Sequence, residues 1–244
     1  MANIEQFKME SGISYIKIHG LQRTGTNYIA YLLDQNLEKC KTMINVGGWK
    51  HGHYCAPWCL GSEVDVVVLK KDPYSWLVSL YNYWGPKKDQ PVGPDLSNVS
   101  FDAFVRGRVI FEEKAGSPFL YLAANPVQHW NNMYFHWSSI RMNQKKLAII
   151  PYEILLNNSE QVIAAIANHF RITKKPEPFI DARQVVVPSN EEALISNREF
   201  SKEYYSKKEY MAYFSPELIS FVNDQLDDEV MMTLGYEKEK VVQS

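Results

Sequence analysis

Apolar and polar residues change rhythm several times along the chain, and each change marks an element. Residues 13–19 (Ile-Ser-Tyr-Ile-Lys-Ile-His) run into an alternating apolar stretch that predicts a strand. Residues 27–37 then place Tyr28, Leu32, Leu33 and Leu37 on neighbouring faces of a helix. Residues 64–69 (Val-Asp-Val-Val-Val-Leu) are β-branched and apolar enough for burial on both faces, which predicts a central parallel strand. Asp72-Pro73 ends that run, and 74–84 reads as a helix, because proline is tolerated in a first helical turn. Residues 85–100 hold Pro, Gly, Asp, Lys and Ser and predict a long exposed loop with the character of a lid. Residues 147–151 predict a further buried strand. Residues 158–170 predict an amphipathic helix with Asn158 and Gln161 placed as a capping box. Ser215-Pro216-Glu217 opens a C-terminal helix that Gly235 stops. Strands alternating with helices predict an α/β protein, a three-layer α/β/α arrangement around a mainly parallel sheet, as one domain over 1–244.

Composition narrows the function classes. The chain has 244 residues, enough for a full α/β core, and no repeat or linker divides it. An apolar fraction of 45% with 22% charged residues is ordinary for a soluble protein. No apolar run approaches a membrane span, and the start carries no basic segment followed by an apolar one, so a cytoplasmic protein is expected. Cys40, Cys55 and Cys59 are too few for a disulfide scaffold and fit a reducing compartment. A net charge of −2 gives no global basic field for nucleic acid, so an anionic ligand must be held by local cations.

Those cations sit in two segments, each directly after a predicted strand. The first is Gly20-Leu21-Gln22-Arg23-Thr24-Gly25-Thr26-Asn27, the G-x-x-x-x-G frame of a phosphate loop in which backbone N–H groups and a helix N-terminus cradle an anion. An ATPase continues with Lys and then Ser/Thr for the terminal phosphates and magnesium. Here Thr26 and Asn27 stand in those positions, and the cation, Arg23, lies inside the loop. Such a loop suits transfer of a group that needs no metal, and sulfuryl is the candidate. The second segment, Lys71-Asp72-Pro73 followed by Ser79, Tyr81 and Tyr83, again sets a cation and a hydroxyl after a buried strand. Two anion sites point to a nucleotide with phosphates at both ends of its ribose.

Together the two segments resemble the signatures of sulfotransferases that use 3′-phosphoadenosine 5′-phosphosulfate (PAPS), whose product is adenosine 3′,5′-bisphosphate (PAP). Arg23-Thr24-Gly25-Thr26-Asn27-Tyr28 is similar to the family's P-K-S-G-T-T-W motif, which binds the 5′-phosphosulfate. Lys71-Asp72-Pro73 with Ser79-Leu80-Tyr81 is similar to its R-N-P and S-x-Y motif, which binds the 3′-phosphate. Pro151-Tyr152-Glu153-Ile154-Leu155 resembles the family's Y-E-x-L segment. The match in order and spacing runs from about Ile13 to Phe170 and implies the P-loop-like sulfotransferase fold. It implies donor-binding roles for Arg23, Thr24, Gly25, Thr26, Asn27, Tyr28, Lys71, Ser79 and Tyr152, with Tyr28 where the family has tryptophan near the adenine. Arg23 stands where the family has lysine, and Lys71 where it has arginine. The family's C-terminal R-K-G loop, another 3′-phosphate clamp, is absent. Arg183, Arg198 and Lys202 are candidates to replace it, with nothing to single one out, and each reads first as a solvated surface charge.

Direct transfer also needs a base for the acceptor hydroxyl. Trp49-Lys50-His51-Gly52-His53 lies between the donor motifs, where the resemblance implies a K-x-H type segment. His51 is the expected base, Lys50 beside it offsets charge on the transferring group together with Arg23, and His53 is the fallback. A zinc reading of His51, His53, Cys55 and Cys59 fits no standard ligand spacing, and no metal is expected. The segment from His129 to Trp137 is dense in aromatics and amides and reads equally as an acceptor surface or a core helix. The acceptor is expected to be a small molecule, with a carbohydrate or other polyol fitting that mixture better than a flat steroid. A P-loop small-molecule kinase and a non-catalytic nucleotide-binding protein of the same fold remain the alternatives.

Overall fold

The structure, a computed structural model, describes residues 10–43, 50–52, 64–84, 98–112, 120–139, 147–181, 184–188, 193–199 and 202–241. The strands are β1 (Ser14–Gly20), β2 (Cys40–Met43), β3 (Val64–Lys70), β4 (Val109–Glu112), β5 (Leu120–Ala123), β6 (Leu147–Pro151), β7 (Gln184–Pro188) and β8 (Ala193–Glu199). The helices are α1 (Thr26–Asn36), α2 (Pro73–Trp84), α3 (Phe101–Arg106), α4 (Pro126–Ser139), α5 (Tyr152–Asn157), α6 (Ser159–Phe170), α7 (Lys202–Ser206), α8 (Pro216–Gln225) and α9 (Asp228–Leu234), with a 3-10 helix over Glu209–Tyr213. Among the described residues no helix is long and apolar enough to cross a membrane.

The central sheet has the order β2-β1-β3-β6 and every pair in it is parallel. Alternation along the inner strands divides the core in two. Ile16, Ile18, Val67 and Leu69 pack with α1, α5 and α6 on one face, while Val66 and Val68 pack with α2, α4, α8 and α9 on the other. The result is the expected three-layer arrangement. From β1 the chain passes through α1 to β2 on one side, and from β3 it proceeds to β6 on the other. The carboxyl ends of β1 and β3 are therefore a switch point, where sheets of this kind bind ligands. Gly20 lies directly opposite Leu69 in register, so the segments that follow the two strands emerge side by side.

Several local expectations need correction. The 158–170 helix is preceded by a separate short helix, α5, and Asn158 closes the one while opening the other. Its N–H donates to the Ile154 carbonyl at 2.8 Å, and its side chain makes no cap, so the capping box does not form. The C-terminal helix is two helices, because Asp227 accepts from the N–H groups of Glu229 and Val230 and starts a new one. Ser215 caps α8 through the Leu218 N–H, and Gly235 ends α9 in the left-handed region, as expected. Most of the 85–100 loop lies outside the described residues.

Candidate functional site

The phosphate loop joins β1 to α1, and its shape rests on two glycines. A Cβ on Gly20 would sit 2.6 Å from the Thr24 hydroxyl and 2.9 Å from the Leu69 carbonyl oxygen, so no other residue fits where the strands lie closest. Gly25 has φ 86° and packs against Tyr152, whose ring carbons would lie 2.6 Å from an added Cβ. Thr24 is buried and donates to the Leu21 carbonyl at 2.7 Å, which folds the loop onto itself. Thr26 is buried at the first position of α1, and no side chain caps that helix. The first N–H groups of α1, which have no partner within a helix, are therefore turned toward the loop.

Arg23 completes the loop in a left-handed conformation, φ 68°, that non-glycine residues adopt at a cost of about 1 kcal/mol or more. Its guanidinium lies 4.8 Å from the centre of the Tyr83 ring on α2. Its buried Nε has no hydrogen-bond partner among the described residues. An orphaned donor beside uncapped helix N–H groups is chemistry that an anion satisfies.

On one side of the loop stands the Lys50–His51 segment. The Gly20 N–H donates to the Lys50 carbonyl at 3.1 Å, and the His51 Nδ1–H donates to the Gly20 carbonyl at 2.6 Å. With the proton fixed on Nδ1, the neutral ring carries its lone pair on Nε2, the tautomer a general base requires. Burial, with Lys50 and then Lys17 adding positive charge nearby, pushes the His51 imidazole down to about 3. Lys50 is buried, and its ammonium donates to Asn27 Oδ1 at the start of α1. Burial pulls that ammonium down to about 8. His53, Cys55 and Cys59 lie outside the described residues, and no group of three or more metal-ligand side chains is gathered among those described.

On the other side stands the Lys71 segment. Asp72 accepts from the Ser75 N–H and caps α2, with Pro73 at its first position, while the Asp72 N–H donates to Glu153 at 2.8 Å. The indoles of Trp76 and Trp130 donate to the carbonyls of Gln22 and Lys71, so α2 and α4 hold both segments in place. Lys71 is 1% exposed. Its ammonium lies 4.8 Å and 4.6 Å from the ring centres of Tyr152 and Tyr205 and donates to the Tyr205 hydroxyl at 3.2 Å. It also approaches the Arg23 carbonyl oxygen at 3.4 Å, so it reaches the loop itself. Half-buried Ser79, two turns along α2, is near enough to the same Tyr205 hydroxyl to help draw its phenol down.

The structure thus brings Arg23, Thr24, Gly25, Thr26, Asn27, Lys50, His51, Lys71, Ser79 and Tyr152 to one end of the sheet. Tyr28 flanks them, with its ring in the core and its hydroxyl donating to Asp181 at 2.6 Å. Burial and then the Asp181 contact push that phenol above its usual range. The His129–Trp137 segment resolves in favour of core packing. Trp130, Met133, Tyr134 and Trp137 are fully buried in α4, and Asn131 is spent on Gln225 and Asp227. Lys202 is exposed, Arg198 lies in β8, and Arg183 is outside the described residues. The residue missed by sequence reasoning is Tyr205, which sits in a mixed-charge stretch with no pattern to mark it.

No protein-family model matches the chain, and no curated protein matches it by sequence. Solved structures do match. One is the crystal structure of mouse sulfotransferase SULT7A1 complexed with PAP, with a TM-score of 0.55 and 12% identity, over 91% of this chain and 89% of that one. The three-layer fold is therefore shared with that solved structure.

Proposed function

We propose that this protein is a PAPS-dependent sulfotransferase acting on an acceptor hydroxyl. The observation that carries the reading is a pair of buried lysines, Lys50 and Lys71, on opposite sides of one phosphate loop, with no carboxylate paired to either among the described residues. Unpaired buried cations are expensive in a folded protein, and a ligand with separate anionic groups offsets that cost. The solved sulfotransferase of the same fold is complexed with PAP, which carries two such groups.

The bound donor supplies a sulfuryl group on a bridging oxygen whose departure leaves PAP. The N–H groups of residues 25–27 and the Arg23 guanidinium hold the 5′ end at the start of α1, the Thr24 N–H being taken by the Leu21 carbonyl at 3.3 Å. Lys71 and Ser79 hold the 3′-phosphate and so fix the donor's orientation, and Tyr152 walls the space between. His51 Nε2 takes the proton from the acceptor hydroxyl as its oxygen forms the new bond to sulfur. The sulfur–oxygen bond to the bridging atom breaks, and that oxygen keeps the electron pair. Lys50 and Arg23 offset the charge building there. Burial and the nearby cations make His51 a weak base in the ligand-free protein, and an anionic donor beside it moves the imidazole back toward neutrality. A small molecule with a polyol or sugar hydroxyl remains the acceptor class we favour.

The test is a thermal-shift titration with PAP beside AMP, ADP and ATP, each with and without magnesium. PAP at about a hundred times its Kd stabilises by roughly 2.7 kcal/mol, which ranks the set. Magnesium-independent preference for PAP is the expected result. Preference for magnesium-ATP moves the protein among the kinases instead.

A further inference from the structure

The 3′-phosphate pocket proposed above has two donors, Lys71 and Ser79, and the first of them already donates to an oxygen inside it. That oxygen is the hydroxyl of Tyr205, brought from α7 across 134 residues of sequence. Its ring is clamped in place by edge-to-face contacts with Tyr152 at 5.5 Å and Tyr204 at 5.3 Å, and by the Lys71 ammonium over its face. The surroundings favour negative charge there: against the opposing effect of burial, Lys71, Arg23 and Ser79 draw the phenol below its ordinary range. An acidified phenol is a stronger hydrogen-bond donor toward an anion than an ordinary one.

We propose that Tyr205 is a third ligand of the 3′-phosphate, turning its hydroxyl from an acceptor of Lys71 into a donor to the phosphate when the nucleotide binds. The inference rests on the donor-site reading above. In this chain a tyrosine on a short C-terminal helix supplies a contact to the pocket, whereas Lys202 on the same helix is exposed. The exchange is short-ranged, because a phosphate oxygen accepting from Lys71 lies within reach of the hydroxyl that has just released it. A nucleotide with only a 5′-phosphate brings nothing to this pocket and gains nothing from Tyr205. The residue is thereby a determinant of selectivity for the 3′-phosphate.

Calorimetric titration of PAP and of AMP into the full-length protein and its Tyr205→Phe variant tests this. The phenylalanine keeps the ring over Lys71 and removes only the hydroxyl. PAP affinity is expected to fall about tenfold or more, as for loss of a hydrogen bond to a charged group, with AMP affinity unchanged. Unchanged or tighter PAP binding in the variant overturns the proposal, tighter binding meaning that the phenol competes with the phosphate. An equal loss for both nucleotides also overturns it, since the hydroxyl then serves the fold. The donor-site reading fails separately, if the unmodified protein does not prefer PAP to AMP, and Tyr205's role falls with it.

Discussion

The two sides of the phosphate loop use the same residue in opposite surroundings. Lys50 is buried against an amide, Asn27, and burial alone draws its ammonium down to about 8. Lys71 is buried more completely, between the faces of Tyr152 and Tyr205, with a phenol and a carbonyl as acceptors. Aromatic faces and oxygen acceptors replace part of the hydration that a buried ammonium loses, and a single amide replaces less of it. The Lys50 side, next to the histidine, holds a charge that is easily shifted, which suits chemistry. The Lys71 side holds its ammonium between two aromatic faces, a rigid frame that suits anchoring.

Removing the proposed base makes the sharpest separation. His51→Ala should lower turnover by about 10²–10⁴, the usual range for a lost general base, while PAP affinity changes little. Near-normal turnover in that variant would remove His51 from the mechanism. The anchoring side should behave in the reverse manner. Lys71→Ala should weaken PAP binding by about tenfold to a hundredfold, through loss of a charge-assisted contact, with AMP much less affected. Equal losses for both nucleotides would mean that Lys71 does not meet the 3′-phosphate.

This asymmetry was half legible in the sequence. The loop from Gly20 to Asn27 is local: a strand, two glycines and a helix start fix it within a few residues, and local patterns are what sequence carries best. Lys71 was found for the same reason, as the residue after a buried strand. What covers it was not legible, because Tyr205 lies in a stretch of mixed charge and reaches Lys71 through tertiary packing. The polar residues of α4 left two equal readings, acceptor surface or core, for a related reason. Asn131 looked like a ligand-binding amide but satisfies the backbone at Gln225 and Asp227, where α8 gives way to α9. The capping box at Asn158 failed because that residue also ends α5, which periodicity does not separate from α6.

Proton linkage sharpens the comparison further. A lysine drawn down to about 8 in the fold, from about 10.5 unfolded, destabilises the ligand-free protein below pH 8. That penalty fades as pH rises through the window between the two values, where the unfolded chain binds more protons. An anion beside Lys50 favours the ammonium, so PAP bound at the proposed site should take up a proton above pH 8. Affinity should then fall with rising pH, by at most tenfold per unit. Lys50→Met should flatten this dependence and raise the melting temperature of the ligand-free protein at pH 7. A PAP affinity that is level from pH 7 to 9 in the unmodified protein would place Lys50 away from the anion.

The smallest expected effect belongs to Asp72, the acid next to Lys71 in sequence. Burial lifts its carboxyl to about 6, with Glu153 and Glu239 adding to the shift against the Ser75 N–H. Its folded value lies above its unfolded one, so the folded state binds the extra proton, and stability should rise as pH falls from about 6 to 4. Asp72→Asn keeps an oxygen to accept from the Ser75 N–H and removes the charge. The melting temperature at pH 7 should rise by a few degrees, since each kcal/mol is worth about 2–4 °C in a chain of this size. The gain of the unmodified protein at acid pH should vanish in the variant. A fall in melting temperature would show instead that the ionised carboxylate supports Lys71, and the anchoring side would then be an ion pair in waiting rather than a cation held ready for phosphate.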